Sequence, residues 1–132
     1  MSINDKCPCG SGQKYKKCCK TYHDGRVAAS ALLLMRSRYS AYALKKYNYI
    51  VKTSFKTEDL ESIKEFSDNT DFQKLEIIEF INGELEAFVT FKATLFSQNQ
   101  DISFCEKSRF NYIDNRWYYI DGKIYNNHRN ML

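Results

Sequence analysis

Proline occurs once in the 132 residues, as Pro8, and histidine twice, as His23 and His128. Glycine is nearly as scarce. Gly10, Gly12 and Gly25 sit in the first 25 residues, and only Gly83 and Gly122 follow. So little proline and glycine excludes a linker-like or low-complexity polymer. Past residue 25 there is no glycine-rich run to wrap a phosphate. Neither histidine falls on an expected core face, so no Ser-His-Asp set can be assembled. Long apolar runs are also missing. The longest, Ala31–Met35, is five residues, whereas about twenty are needed to cross a bilayer. The first twenty residues hold no apolar stretch, which predicts no secretory leader, no membrane contact and a cytoplasmic chain. What is present is 43% hydrophobic, 15% aromatic and 27% charged residues. That is enough apolar matter for a packed domain and too much for a disordered chain.

The net charge of +4 is unevenly placed. Residues 1–26 carry Lys6, Lys14, Lys16, Lys17, Lys20 and Arg26 against Asp5 and Asp24, or 6 − 2 = +4, so the remaining 14 basic and 14 acidic residues cancel. The bulk of the chain therefore has no electrostatic reason to seek nucleic acid. Only the basic head offers a contact surface for RNA, a ribosome or an acidic protein. The same lysines can equally serve as counter-charge for thiolates.

The composition changes near Gly25, which predicts a small head over residues 1–25 and a main domain over 26–132. Ala28, Leu32, Met35, Tyr39 and Ala43 recur at helical spacing and predict a helix over 27–47. A short helix is expected at 48–54. A third is expected after a Thr57 cap, burying Leu60, Ile63 and Phe66, with a loop at 67–71. The period then changes to two. Strands are expected at Leu75–Ile81, 85–96, 102–113 and Arg116–Ile120. Asn82-Gly83 reads as a turn with positive φ, and further turns fall at 97–100 and Asp114-Asn115. The chain should end its last strand at Asp121-Gly122. This order gives an α+β fold, helices on a four-stranded antiparallel meander whose long strands must coil or bulge into a cone.

The head contains the sharpest signal. Residues 7–19 read Cys-Pro-Cys-Gly-Ser-Gly-Gln-Lys-Tyr-Lys-Lys-Cys-Cys. Two cysteine pairs across a glycine-bearing reversal suit one tetrahedral metal ion, zinc or a single iron. Gly10 and Gly12 supply the backbone freedom, and their N–H groups are expected at the sulfurs. Tyr15 is expected to shield them. With four thiolates in place no coordination position stays open, so the site reads as structural. His23 is an alternative fourth ligand in place of Cys19, and disulfides are the competing chemistry.

The run from Cys7 to Cys19 resembles the SEC-C motif, a knuckle also found at the tail of the SecA translocation ATPase. Three later runs, Met35-Arg36-Ser37-Arg38-Tyr39-Ser40-Ala41-Tyr42, Glu106-Lys107-Ser108-Arg109-Phe110 and Trp117-Tyr118-Tyr119-Ile120-Asp121-Gly122, resemble the YchJ-like family of uncharacterised bacterial proteins. The resemblance implies a SEC-C knuckle joined to a nuclear transport factor 2-like cone. It implies zinc on Cys7, Cys9, Cys18 and Cys19, with iron as another occupant, and a bacterial cytosol. It also implies protein contacts, since the knuckle of SecA docks on a chaperone and the ribosome. Many relatives carry a second knuckle after the cone, whereas residues 125–132 contain no cysteine.

Within the cone, Arg36 on the helical stripe and Glu106 on the third strand are expected to meet, with Arg38 as the alternative partner. Tyr39, Tyr42 and Ser108 would complete a buried ion pair or the floor of a pocket. Glu106 beside a tyrosine is the only acid–base pair on offer, so a non-catalytic protein is favoured. Cys105, beside Lys107, reads as a structural thiol. Phe88 and Phe96 fall on the outer sheet face, which reads either as ordinary exposed aromatics or as a dimer or partner surface. Two readings result. One is an adaptor whose knuckle contacts a chaperone, ribosome or translocation component. The other is a small-molecule cone capped by the knuckle, with a cavity above roughly 300 Å³.

Overall fold

The computed structural model describes residues 1–127; His128 lies outside the described residues. A 3₁₀ turn over Tyr15–Lys17 and a short α1 (Cys19–His23) close the head. Then come α2 (Ala31–Ala43), α3 (Tyr47–Thr53) and α4 (Leu60–Asp68), followed by β1 (Asp71–Ile81), β2 (Glu86–Ser97), β3 (Gln100–Asp101), β4 (Phe104–Ile113) and β5 (Arg116–Asn127). The helices-then-sheet order is as expected. The strands form one antiparallel sheet in the order β1-β2-β4-β5, with β3 a two-residue addition paired to β2. Five strands replace the expected four because the Ser103 hydroxyl takes the Leu95 N–H at 3.0 Å and interrupts the ladder between β3 and β4.

The sheet is curved, and its bulges are visible. The β1–β2 register slips between Phe72 and Lys74 and again between Ile77 and Glu79. The β4–β5 register slips between Phe104 and Glu106 and between Arg109 and Phe110. Each extra residue bends its strand and increases the twist. β2 alternates cleanly, with Ala87, Val89, Phe91, Ala93 and Leu95 buried and Phe88 and Phe96 on the outer face. Lys107 sits over the Phe88 ring at 4.9 Å, so the outer aromatic is partly covered by its own sheet. Cys105 lies on the same outer face, opposite Lys92, half-buried.

Helix α2 departs most from expectation. It begins at Ala31, four residues later than the sequence pattern suggests, because the Ser30 hydroxyl accepts the Leu33 N–H at 3.1 Å and caps it. It ends at Ala43. Lys45 turns left-handed at φ 63°, and the Lys46 N–H bonds the Ala41 carbonyl at 2.8 Å, a closing turn usually made by glycine. The single apolar stripe is also corrected. Leu32 and Ala43 are only half-buried, while Leu34, Ser37, Arg38 and Ser40 are buried. The helix has two covered sides, the sheet on one and the cysteine head with α3 on the other.

Three smaller corrections follow from local bonding. Asp59, not Thr57, caps α4, its carboxylate accepting from Glu61 N and Ser62 Oγ. Only Ile63 of the expected α4 face is buried; Phe66 remains 39% exposed although it packs edge-on against Tyr42 and Phe72. β5 runs through Gly122 instead of ending there, with Gly122 opposite Ser108 in the ladder. A Cβ at Gly122 would lie 2.1 Å from Glu106 Oε2, so the glycine makes room for a carboxylate.

The Asn82-Gly83 segment is not a two-residue turn. Four residues connect β1 to β2, and neither Asn82 nor Gly83 has a left-handed φ. Gly83 is needed for space, since a Cβ there would sit 2.2 Å from the Glu86 carbonyl oxygen. Backbone cannot step aside as a side-chain end can. Gly83→Ala is therefore expected to cost about 1–3 kcal/mol, while Asn82→Ala stays near neutral. Urea unfolding of both variants checks this, and equal midpoints would contradict it.

Candidate metal centre

The head is a miniature hairpin. Cys7 N–H bonds the Gln13 carbonyl at 2.8 Å, and Tyr15 N–H bonds the Asp5 carbonyl at 2.8 Å. Gly10 and Gly12 take φ of 81° and 85° at the reversal, where a side chain would be strained. The Gly10 N–H closes a turn onto the Cys7 carbonyl and not onto a sulfur. The Ser11 hydroxyl instead meets Cys18 Sγ at 3.1 Å.

The hairpin brings Cys7, Cys9, Cys18 and Cys19 together, with all four sulfurs within 4.8 Å of one another. Cys9 and Cys18 are 3.6 Å apart, and Cys18 and Cys19 are 4.0 Å apart. An ion about 2.3 Å from each sulfur requires edges of roughly 3.8 Å, which these two separations bracket. They are far too long for a disulfide, near 2.0 Å, and all five cysteines are free thiols. Cys9 and Cys19 are enclosed, and Cys18 keeps partial solvent contact.

The electrostatics fit a cation. Hydrogen bonding with Cys19 and Cys7 holds Cys9 far below the ordinary thiol range. Hydrogen bonding with Cys7 and then Cys9, together with burial, drives Cys19 far above it. One sulfur ionises at its neighbours' expense. A divalent ion supplies the charge that lets all four become thiolates. The donor set therefore fits a four-thiolate metal site without an open position.

His23 is not a ligand. Its Nδ1 is 2.7 Å from the Tyr15 hydroxyl, and its Nε2 is 2.8 Å from the Ser37 carbonyl. Burial lowers its pKa, which keeps the ring neutral. In that state Nε2–H donates to Ser37 and Nδ1 accepts from Tyr15. The ring thus ties the head to α2, and its edge packs on Tyr49 of α3 at 4.8 Å. Tyr15 is buried against the cysteines as expected, and burial pushes its phenol up to about 12.

Arg36 is the second tie. Its Nη1 donates to the Cys9 carbonyl at 2.7 Å, so the expected Arg36–Glu106 contact is not formed. Gly10 is the third, with its Cα against the Leu75 carbonyl of β1, where a Cβ would be only 3.0 Å away. Sequence reasoning missed the ties of His23 and Arg36 because they depend on α2 having a second covered side.

Arg38 takes the place foreseen for Arg36. It is 5% exposed, and its Nη1 donates to the Ile50 carbonyl and to the Thr53 and Ser54 hydroxyls at 2.8–3.2 Å, at the C-terminal end of α3. Its guanidinium lies 4.4 Å from the centre of the Tyr119 ring. The Tyr119 hydroxyl donates to Glu106 Oε2 at 3.3 Å, and Ser108 Oγ donates to the same oxygen at 2.5 Å. Tyr39 and Tyr42 complete one wall, both phenols shifted upward by burial. Phe91, Ala93 and Phe104 line the sheet side. The space is about 180 Å³ and partly open to solvent, smaller than the closed cavity foreseen, and Arg36 is not part of it.

Known proteins share this arrangement. The family model described as "YchJ, middle NTF2-like domain" matches residues 30–122, and that of the SEC-C motif matches residues 4–20. A UPF0225 protein of Serratia proteamaculans is 40% identical over 125 residues, covering 88% of this chain and 81% of its own length. The solution structure of a SEC-C motif containing protein from Rhodopseudomonas palustris superposes with a TM-score of 0.84 at 33% identity, covering 91% of this chain and 98% of that one. The crystal structure of a SEC-C motif containing protein from Psychrobacter arcticus gives 0.83 at 30% identity, covering 96% and 86%.

Two measurements test the site. Elemental analysis of protein purified under reducing conditions is expected to find one metal ion per chain, and Cys19→Ser to lose it. Removing the ion with a strong chelator should lower the melting of the whole domain by about 10 °C or more in a single transition. An unchanged cone melting would contradict the three ties. His23→Ala should cost about 2–3 kcal/mol yet keep its ion, whereas loss of the ion would make His23 a ligand after all.

Proposed function

The chain belongs to the UPF0225, or YchJ, family, and we propose that it acts there as a non-catalytic, zinc-bearing adaptor of the cytosol. Zinc is the ion best suited to four thiolates with no open position, and iron is the second choice. The observation that carries the reading is how the knuckle is oriented. Its inner side is taken up by Arg36, His23 and β1. Its outer side carries Lys6, Lys14, Lys16 and Lys17, all exposed. Two of these lysines lie on the 3₁₀ turn beside the cysteines. Metal binding fixes their backbone, so the charges form a set pattern instead of a flexible tail. Such a surface suits an acidic protein patch, as on a chaperone, ribosome or translocation component. None of the four makes an ion pair among the described residues, which leaves them available to a partner.

The test uses charge, not the metal. The triple variant Lys14→Glu, Lys16→Glu, Lys17→Glu should keep its ion and its melting temperature. Metal-loaded wild type should capture a nuclease-resistant acidic partner from bacterial lysate at low salt and release it at about 0.3 M salt, where screening is strong. The variant should capture none of it. Identical capture by wild type and variant would sink the adaptor reading, and capture lost on nuclease treatment would assign the lysines to RNA instead.

A further inference from the structure

The cone cavity plays no part in the adaptor reading, yet its walls are not those of a packing defect. It combines an apolar ring-lined space with a buried cation that is incompletely bonded. A guanidinium has five N–H donors. In Arg38 only Nη1 makes hydrogen bonds; Nε and Nη2 make none among the described residues. No carboxylate lies within ion-pair distance of Arg38, although Glu58 and Glu106 both line the same cavity. Nε and one N–H of Nη2 are the parallel pair that grips a carboxylate in two-point fashion.

The rest of the space specifies what the carboxylate is attached to. Phe72, Phe91 and Phe104 give an aromatic wall, and about 180 Å³ is close to the roughly 150 Å³ that holds one benzene ring. Glu106 is fixed at another part of the wall. It lies over the bare backbone of Gly122 and is held by Ser108 and Tyr119. As a carboxylate it can only accept, so it favours a ligand that brings a donor. We propose that the cavity binds a single-ring aromatic acid, its carboxylate on Arg38 and a ring hydroxyl or amino group on Glu106. Nε and one N–H of Nη2 then gain acceptors, and Glu106 gains a donor.

Calorimetric titration of the metal-loaded protein tests this with 4-hydroxybenzoate, benzoate, benzamide and benzamidine. The expected order is 4-hydroxybenzoate tightest, then benzoate, with neutral benzamide and cationic benzamidine weaker than 4-hydroxybenzoate by about tenfold or more. Arg38→Lys keeps a charge but loses the planar fork, and should weaken the acids by about tenfold. That variant also loosens α3, so Ala93→Leu provides an independent check. It places bulk in the cavity, and it should abolish binding while the ion content and melting remain. No binding of either acid below about 10 mM, equal binding of benzamidine, or undiminished binding by Ala93→Leu would each overturn the proposal and leave Arg38 as a staple between α2 and α3.

Discussion

Four thiols packed within 4.8 Å of one another can ionise together only around a cation. Everything N-terminal to Ser30 depends on that requirement. A segment this short cannot bury a core, and an ion held by the four sulfurs would supply its folding energy. Once shaped, it offers fixed acceptors and fixed surfaces. The Cys9 carbonyl stands where Arg36 can reach it, and the Gly10 backbone stands against Leu75. His23 then spans from Tyr15 to Ser37 with a nitrogen committed to each. The knuckle is thereby a wall of the domain, and an ion held by its cysteines would support α2 through these ties.

That helix is where sequence periodicity misleads. A stripe rule assumes one buried side and one wet side. α2 is covered by the sheet and also by the knuckle with α3. Its second side is polar, built from Ser37, Ser40 and the neutral ring of His23, and is satisfied through hydrogen bonds to backbone carbonyls. Polar residues on a buried side look like solvent-facing ones in a sequence. The stripe consequently put Arg36 over the sheet, when it faces the knuckle, and left Arg38, the residue that lines the cavity, as the alternative. Two positions along a helix is a rotation of about 200°, so the error reversed the side while leaving the idea of a cationic wall intact.

Where one physical cause acted alone, reading was straightforward. Strand β2 is central and has one face on the core, so its alternation is unbroken. Asp114-Asn115 adopts the positive φ pair its side chains tolerate, and Gln98-Asn99 does the same. The cysteines were legible because thiolate spacing is local and the chemistry admits few alternatives. Legibility failed where two causes overlapped. β1 combines an edge position with two bulges, so its burial follows no period. Asn82-Gly83 has the composition of a tight turn, but the Glu86 carbonyl takes the space that decides the matter. Lys45 closes α2 in a conformation that no lysine advertises.

Arg38 shows what such overlaps cost and what they produce. Burying a guanidinium is expensive unless its charge is answered. Here the answer is spread over weak sources: the carbonyl end of α3, two hydroxyls and the face of Tyr119. An aliphatic residue at this position would avoid the desolvation and let the sheet close on α2. Glu106 repeats the pattern, a carboxylate set over a glycine and held by two hydroxyls. Two charged groups, each held individually and neither paired with the other, line the same space in the cone. Stability alone does not call for that arrangement, because a salt bridge or a hydrophobic pair would serve it better. Keeping Arg38 and Glu106 apart makes physical sense if the space between them has an occupant.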